Sequence, residues 1–527
     1  MKNKEAKSFF SKMIDVAIYA IIILSIVFMI IYIFKGSKGL MNSDSSFIVD
    51  YSIEQIRTHS FFPADWANSN DFWVYSLIPM ITIFIKLGCS LFAARQLSVF
   101  IQTIAIFLLL IDLFKKQFED KKGLKIILLL LLSGVSGQFI FELYGDATYG
   151  SIIFYMLLEI WLIIRFLKTS KKINIILYSI FLLLITGCSL RFPIYIGAPV
   201  ICTALYMLYN NHKDKRSYII ILATIISIGI GFIINKYLCH SLFIVSATSQ
   251  NIISSSDDFS SGFFDIIFNY FSINGATNIN VFSLTYARYN NYITSTSPLI
   301  LIIFIRFIFA IVSIIIPFVL AKSFKKMNEI EKIFYIFVIS LGFIIFFFLL
   351  IGSMSSWYRY ITPVLFFMIL LYPLFYKYKI SDNEKAKIVY KISVIVFAIS
   401  ALSLCIASCL DINTKRFYRS KSQDLSDFLL SKDLSFGYTN NGYEHNIYRL
   451  VSNGDLQVTR IEDYSPFYWL NSRDWFTSEY HDGKTFYMRH NYDESLSFEE
   501  NAIEKYEYDD YLIFVFEKHE DILDYLK

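Results

Sequence analysis

The chain has 527 residues, 55% of them hydrophobic and 18% aromatic, with 52 Phe and 37 Tyr. That composition excludes a soluble single domain and points to a polytopic membrane protein. The net charge of +4 hides a split: residues 411–527 hold 13 Lys/Arg against 23 Asp/Glu, a net of −10, which leaves +14 for the rest. The basic balance follows membrane topology and anionic lipid, not nucleic acid.

In chain order, a basic N-terminus (Lys2, Lys4, Lys7, Lys12) precedes an apolar run at 14–34. The run is too long for a signal-peptide core and lacks a small-residue cleavage site, so it is expected to stay as an anchor. Ten further apolar spans are expected at 92–114, 126–143, 151–168, 173–188, 195–210, 217–235, 298–320, 333–351, 361–376 and 392–410. Short basic loops at 115–125, 165–172, 212–216, 322–332 and 377–391 should stay on the cytoplasmic side with the N-terminus. This parity holds only if the stretch 72–87, about 16 residues with Pro79 inside it, lies along the membrane surface without crossing.

The fold class is therefore a polytopic α-helical membrane protein of about 11 transmembrane helices, with interfacial helices in the first outer loop. The expected division is a transmembrane module at 1–410 and a small extracytoplasmic α/β domain at 411–527. Within the tail, Tyr511–Phe516 (YLIFVF) reads as a strand, a helix is expected at about 519–526, and 424–430 looks helical. The six cysteines lie in or beside apolar segments and suggest neither a disulfide framework nor a CxxC metal site.

Most irregular sequence falls on the expected outer side, where functional groups concentrate. The first outer loop carries Asp44 and Asp50 (MNSDSSFIVDYSIEQI). A carboxylate just past the first span can take a proton from a hydroxyl attacking a membrane-borne electrophile. Asp44 is the first candidate base and Asp50 the second; the competing role for Asp44 is N-capping a helix at 45–57. Asp146 sits in Tyr144-Gly145-Asp146-Ala147-Thr148-Tyr149-Gly150, where Tyr144 and Tyr149 would add aromatic faces to a sugar-binding rim; an ordinary turn Asp is the alternative. Arg191, Arg359 and Arg95 are outer-side cations near the expected bilayer surface, and Arg359 stands between Tyr358 and Tyr360. Arginine binds phosphate oxygens bidentately, so a lipid phosphate is their expected ligand; snorkelling to headgroups is the alternative. Arg306 falls inside an apolar run, where a charge is costly and faces either a cavity or the rim.

One span, a long outer loop with an early Asp, Pro63-Ala64-Asp65-Trp66, an apolar stretch ending in Lys86-Leu87-Gly88, and Ala93-Ala94-Arg95-Gln96-Leu97-Ser98 opening the next span follow one another. This order resembles the polytopic GT-C glycosyltransferases, as does Trp357-Tyr358-Arg359-Tyr360-Ile361-Thr362-Pro363. The resemblance covers roughly the first 115 residues and that later motif; elsewhere it is topological. It implies a GT-C fold, a catalytic acid in the first outer loop, a polyprenyl-phosphate sugar donor and a bacterial plasma-membrane location, with the N-terminus cytoplasmic and the tail extracytoplasmic. There is no adjacent Asp-Glu pair after the first span and no Trp-Trp-Asp motif in the tail, which sets the chain apart from the protein mannosyltransferase and oligosaccharyltransferase branches. A divalent metal is possible but lacks the paired carboxylates to support it, and no other cofactor is implied.

The expected activity is inverting transfer of a monosaccharide from a polyprenyl phosphate to a cell-envelope glycan or lipid acceptor. Two readings from other classes stay open: a lipid-linked oligosaccharide flippase, and an O-antigen-type polymerase acting on a diphosphate-linked glycan.

Overall fold

The computed structural model describes residues 2–245, 256–276, 299–352, 358–411, 421–441, 445–462 and 464–526. Among these, nine helices are long and apolar enough to cross a membrane: Lys12–Gly36, Leu91–Gln117, Thr148–Thr169, Pro193–Asn210, Lys215–Tyr237, Ile300–Ala321, Glu329–Ile351, Arg359–Ile380 and Glu384–Ala407. The chain is a polytopic helical membrane protein with a C-terminal sheet region. Two expected spans take other forms. The 173–188 segment is the 17-residue helix Lys172–Cys188, and 126–143 is no single helix.

That second segment is the pair Lys121–Leu132 and Gly137–Gly145, bent by 94°. Gly134 (φ +93°) and Val135 (φ +55°) are both left-handed and break the hydrogen-bond ladder. The left-handed region suits glycine, but a β-branched residue there is strained. Ser136 restarts the helix by accepting from the Phe139 N–H at 3.1 Å. The stretch 72–87 forms the nine-residue helix Ile78–Lys86, roughly half a spanning length, ended by Gly88 at φ +88°.

The chain clusters into two compact units. The first comprises Met1–Ile33, Gln102–Ile233 and Ser249–Asp411. Its helices pack through small and polar residues, as membrane helices do. Thr224, Ser227 and Gly231 line one face of Lys215–Ile233: the Tyr178 and Thr224 hydroxyls lie 2.7 Å apart, Ser227 Oγ donates to the Ser179 carbonyl at 2.9 Å, and a Cβ on Gly231 would stand 2.7 Å from that of Thr186. Arg306 is buried and held by backbone carbonyls at two of its three guanidinium nitrogens, while its buried Nη2 has no hydrogen-bond partner among the described residues. Its Nε donates to the Asn274 carbonyl at 2.9 Å, its Nη1 to that of Phe397 at 3.1 Å, and its guanidinium carbon stands 4.0 Å from the Phe309 ring centre. Asn274 follows the end of the helix Ser256–Ile273, where orphan carbonyls and the negative end of the helix dipole favour a cation.

The second unit joins Phe34–Ile101, Ile234–Thr248 and Ile412–Lys527. Among its described residues are eight strands: β1 (Trp66–Ala67), β2 (Phe436–Thr439), β3 (Gln457–Glu462), β4 (Ser465–Pro466), β5 (Asn471–Ser472), β6 (Thr485–His490), β7 (Glu504–Tyr508) and β8 (Tyr511–Phe516). Six form one mixed sheet in the order β4-β3-β2-β6-β8-β7. Strands β2, β3 and β6 run parallel, and β8 lies antiparallel between β6 and β7. The expected strand at 511–516 is β8, and the expected helices appear as Lys421–Leu430 and the single turn Glu520–Leu523. Strand β1 of the first loop pairs antiparallel with β5 of the tail, Trp66 opposite Ser472, and the Trp66 and Trp475 rings meet edge to face at 5.9 Å.

Candidate functional site

In the first unit a cluster of arginines and tyrosines gathers on Tyr360. Arg359 and Tyr360 lie in the short turn Tyr358–Ile361, before a helix begun by Thr362-Pro363, where proline's fixed φ suits the first helical turn. Arg191 precedes Pro193, which opens the next helical segment in the same way. The Arg191 guanidinium carbon stands 5.5 Å from the Tyr360 ring centre and that of Arg359 stands 5.9 Å from it, both within cation–π range. Arg191 Nη1 approaches the Tyr149 hydroxyl at 3.5 Å, and the Tyr149 ring meets Tyr360 edge-on at 6.2 Å. The Tyr195 hydroxyl donates to the Tyr360 carbonyl at 3.1 Å, fixing the turn that carries both Tyr360 and Arg359.

Asp146 stands just before the helix Thr148–Thr169, which begins after Ala147 at φ +65°. It is buried and accepts from the Thr148 hydroxyl at 3.1 Å, three residues from Tyr149. The structure thus gathers Arg191, Arg359, Tyr149 and Tyr360, with Asp146 at the head of the helix that supplies Tyr149. Tyr144 is buried in Phe141–Gly145 and makes no ring contact or hydrogen bond with them among the described residues. The Tyr358 side chain, Trp357 and the stretches 246–255 and 277–298 of the second large loop lie outside the described residues.

The acids of the first loop belong to the second unit, on the helix Ser43–Arg57. Its cap is Asn42, not Asp44: Asn42 Oδ1 accepts from the Ser45 N–H at 3.0 Å, and Ser45 Oγ accepts from the Asn42 N–H at 2.8 Å, a reciprocal box. Asp44 is exposed in the first turn, where the helix dipole favours a carboxylate. Asp50 is buried in the middle of the helix. One turn on, Glu54 is buried on the same face, and Arg449 lies against both, with Nη1 3.4 Å from Glu54 Oε1 and Nε 4.0 Å from Asp50 Oδ1. Arg57 extends the network to Glu54 at 2.6 Å and to Asp474 at 2.5 Å. Burial pushes the Asp50 carboxyl up to about 8, with Arg449 opposing and Glu54 adding to the rise. A raised pKa disfavours a carboxyl as a base at neutral pH, and of the two acids Asp44 is the exposed one.

Arg95 is fully buried and holds this same helix. Its Nε donates to the Ser45 carbonyl at 2.8 Å and its Nη1 to Gln96 Oε1 at 3.2 Å, while Gln96 Nε2 donates to Ser37 Oγ at 3.0 Å. Residues absent from the sequence expectations complete the loop's environment: Glu54, Arg449 and His445, whose Nδ1 lies 3.2 Å from Ser43 Oγ. The four-residue spacing of Asp50 and Glu54 was the one readable signal, since it places two acids on one helical face that needs a cation. Among the described residues, no group of three or more His, Cys, Asp or Glu side chains stands in a metal-holding arrangement.

No protein-family model matches the chain, and no curated protein is significantly similar to it.

Proposed function

We propose that the protein is an inverting glycosyltransferase of the GT-C type that takes a monosaccharide from a polyprenyl-phosphate donor to a glycan or lipid of the cell envelope, on the outer face of a bacterial plasma membrane. The observation that carries this reading is the meeting of Arg191 and Arg359 on the one Tyr360 ring. Both guanidinium groups stand within cation–π range of that ring, and each can donate to phosphate oxygens. Tyr149 and Tyr360 add the aromatic faces against which a sugar ring packs.

In this mechanism Asp44 takes the proton of the acceptor hydroxyl as its oxygen attacks the anomeric carbon. The bond between that carbon and the phosphate oxygen breaks on the opposite face, and the electron pair leaves with the phosphate. Arg191 and Arg359 stabilise the charge gathering there, an electrostatic contribution that commonly dominates such transfers. Phosphate leaves readily, so no general acid is required. Asp44 is preferred to Asp50 for this role because Asp44 is exposed and Asp50 is buried.

Vesicles reconstituted with purified protein and a labelled polyprenyl-phosphate sugar provide the test. Asp44→Asn should lower turnover by roughly 10²–10⁴-fold, the range for a lost general base. Arg359→Met should cost a further or comparable loss that Arg359→Lys only partly restores, because lysine cannot bind bidentately. Full turnover by Asp44→Asn at matched protein levels removes Asp44 from the mechanism. Movement of lipid-linked sugar without bond cleavage would replace the reading with a flippase, and activity only on a diphosphate-linked glycan with a polymerase.

A further inference from the structure

Asp44 itself is exposed, yet the residues on either side of it are held fast. Ser43 and Ser45 are buried, as are His445, Asn446 and Arg95. The Asn446 N–H donates to Ser43 Oγ at 3.4 Å, and the same oxygen is hydrogen-bonded with His445 Nδ1, 3.2 Å away. On the other side the Ser45 carbonyl takes the Arg95 Nε–H at 2.8 Å. Asn42 closes the capping box beneath them. Of residues 43–45, Asp44 alone is exposed.

Further along the same helix, Arg449 meets Glu54 and Asp50, and Arg57 meets Asp474. The tail therefore grips this helix at its first turn, in its middle and at its end. Those grips differ in what they control. The contacts at Asp50, Glu54 and Arg57 hold the helix to the sheet region, whereas the His445–Ser43 bond acts on the residue adjoining Asp44.

We infer that His445 is a positioning residue for sugar transfer: through Ser43 it fixes the turn that presents Asp44, which makes the C-terminal sheet region part of the scaffold of the reaction centre and not a separate acceptor-binding module. The inference rests on the reading of Asp44 as base. Preorganisation of this kind acts on the reaction rate, because a base displaced by a fraction of an ångström still lets substrate bind.

The test uses full-length protein in vesicles with a labelled polyprenyl-phosphate sugar, together with deuterium exchange of the amides at 43–47. His445→Ala and Ser43→Ala should each lower kcat by roughly tenfold with KM little changed. The double variant should be no worse than either single one, because both break one bond. His445→Asn, whose amide can still face Ser43 Oγ, should recover most of the rate, a rescue that a change in bulk stability alone would not produce. Exchange at 43–47 should quicken in His445→Ala and return towards normal in His445→Asn.

Wild-type turnover in His445→Ala, or losses that add in the double variant, would overturn the inference. Unchanged exchange at 43–47 in His445→Ala sinks the clamp itself, whatever Asp44 does. Quickened exchange combined with full activity in Asp44→Asn would instead leave the clamp standing and remove the base, so the two failures are told apart.

Discussion

At the scale of single residues, Asp50 shows how burial changes what a carboxyl does. Its native value near 8 lies far above the ordinary 3.8, so between those values the folded chain holds a proton that the unfolded chain has released. The stabilisation is complete below about pH 4 and drains as pH rises through 8, by up to ~1.4 kcal/mol per unit. The melting midpoint of the wild-type protein in detergent should therefore fall between pH 5 and pH 8 by more than that of Asp50→Asn, which carries no titrating proton. Parallel curves for the two proteins would refute the assignment. His519 works in the opposite sense: burial, with His481 nearby, lowers it to about 4, so its contribution is present above pH 6.5 and fails as pH drops through 4. The sequence showed Asp50 as an acid but not its burial, because the cation beside it, Arg449, lies in a segment with no periodic link to the loop.

At the scale of elements, segments with a strong local signature were legible. β8 is a continuous apolar run, so no competing structure suits it, and its bounds match the expectation from composition. The cap of the Ser43–Arg57 helix was misplaced by two positions, since Asn42 and Asp44 are both good caps and only the reciprocal bond to Ser45 decides between them. The bend at Ser133-Gly134-Val135-Ser136 was missed because a hydropathy window averages over it, although a Gly–Ser cluster is a recognised place for a helix to break. Packing between Lys172–Cys188 and Lys215–Ile233 gives a prediction at this scale. Gly231→Leu would drive a side chain into Thr186 and the Leu183 carbonyl, costing about 1–3 kcal/mol as overpacking does. Thermal inactivation in detergent should shift several degrees lower, while Gly229→Leu, whose position opens on empty space, should leave it unchanged.

At the scale of the whole molecule, the sequence showed a membrane protein with many spans but not which of its pieces belong together. Parity counting assigned sides on the assumption that 126–143 crosses once, and the 94° bend puts that segment to a direct test. With single cysteines in a Cys-free background, an impermeant maleimide on intact cells should label the tail near Asp482 and spare 118–122. Labelling of both positions, or neither, would show that the bent pair turns back without crossing. The union of the first loop with the tail left no local trace, because Ser43 and His445 are 402 residues apart. That separation has a consequence during synthesis. The Ser43–Arg57 helix leaves the ribosome early, while Arg449, the buried cation that Glu54 meets, is translated hundreds of residues later. Before Arg449 is made, Glu54 can pair within its helix with Arg57 but not with the tail. A chain interrupted before the sheet region would keep the sequence of its helical spans and yet lack the tail partners of Ser43 and Glu54, leaving the first loop unfinished.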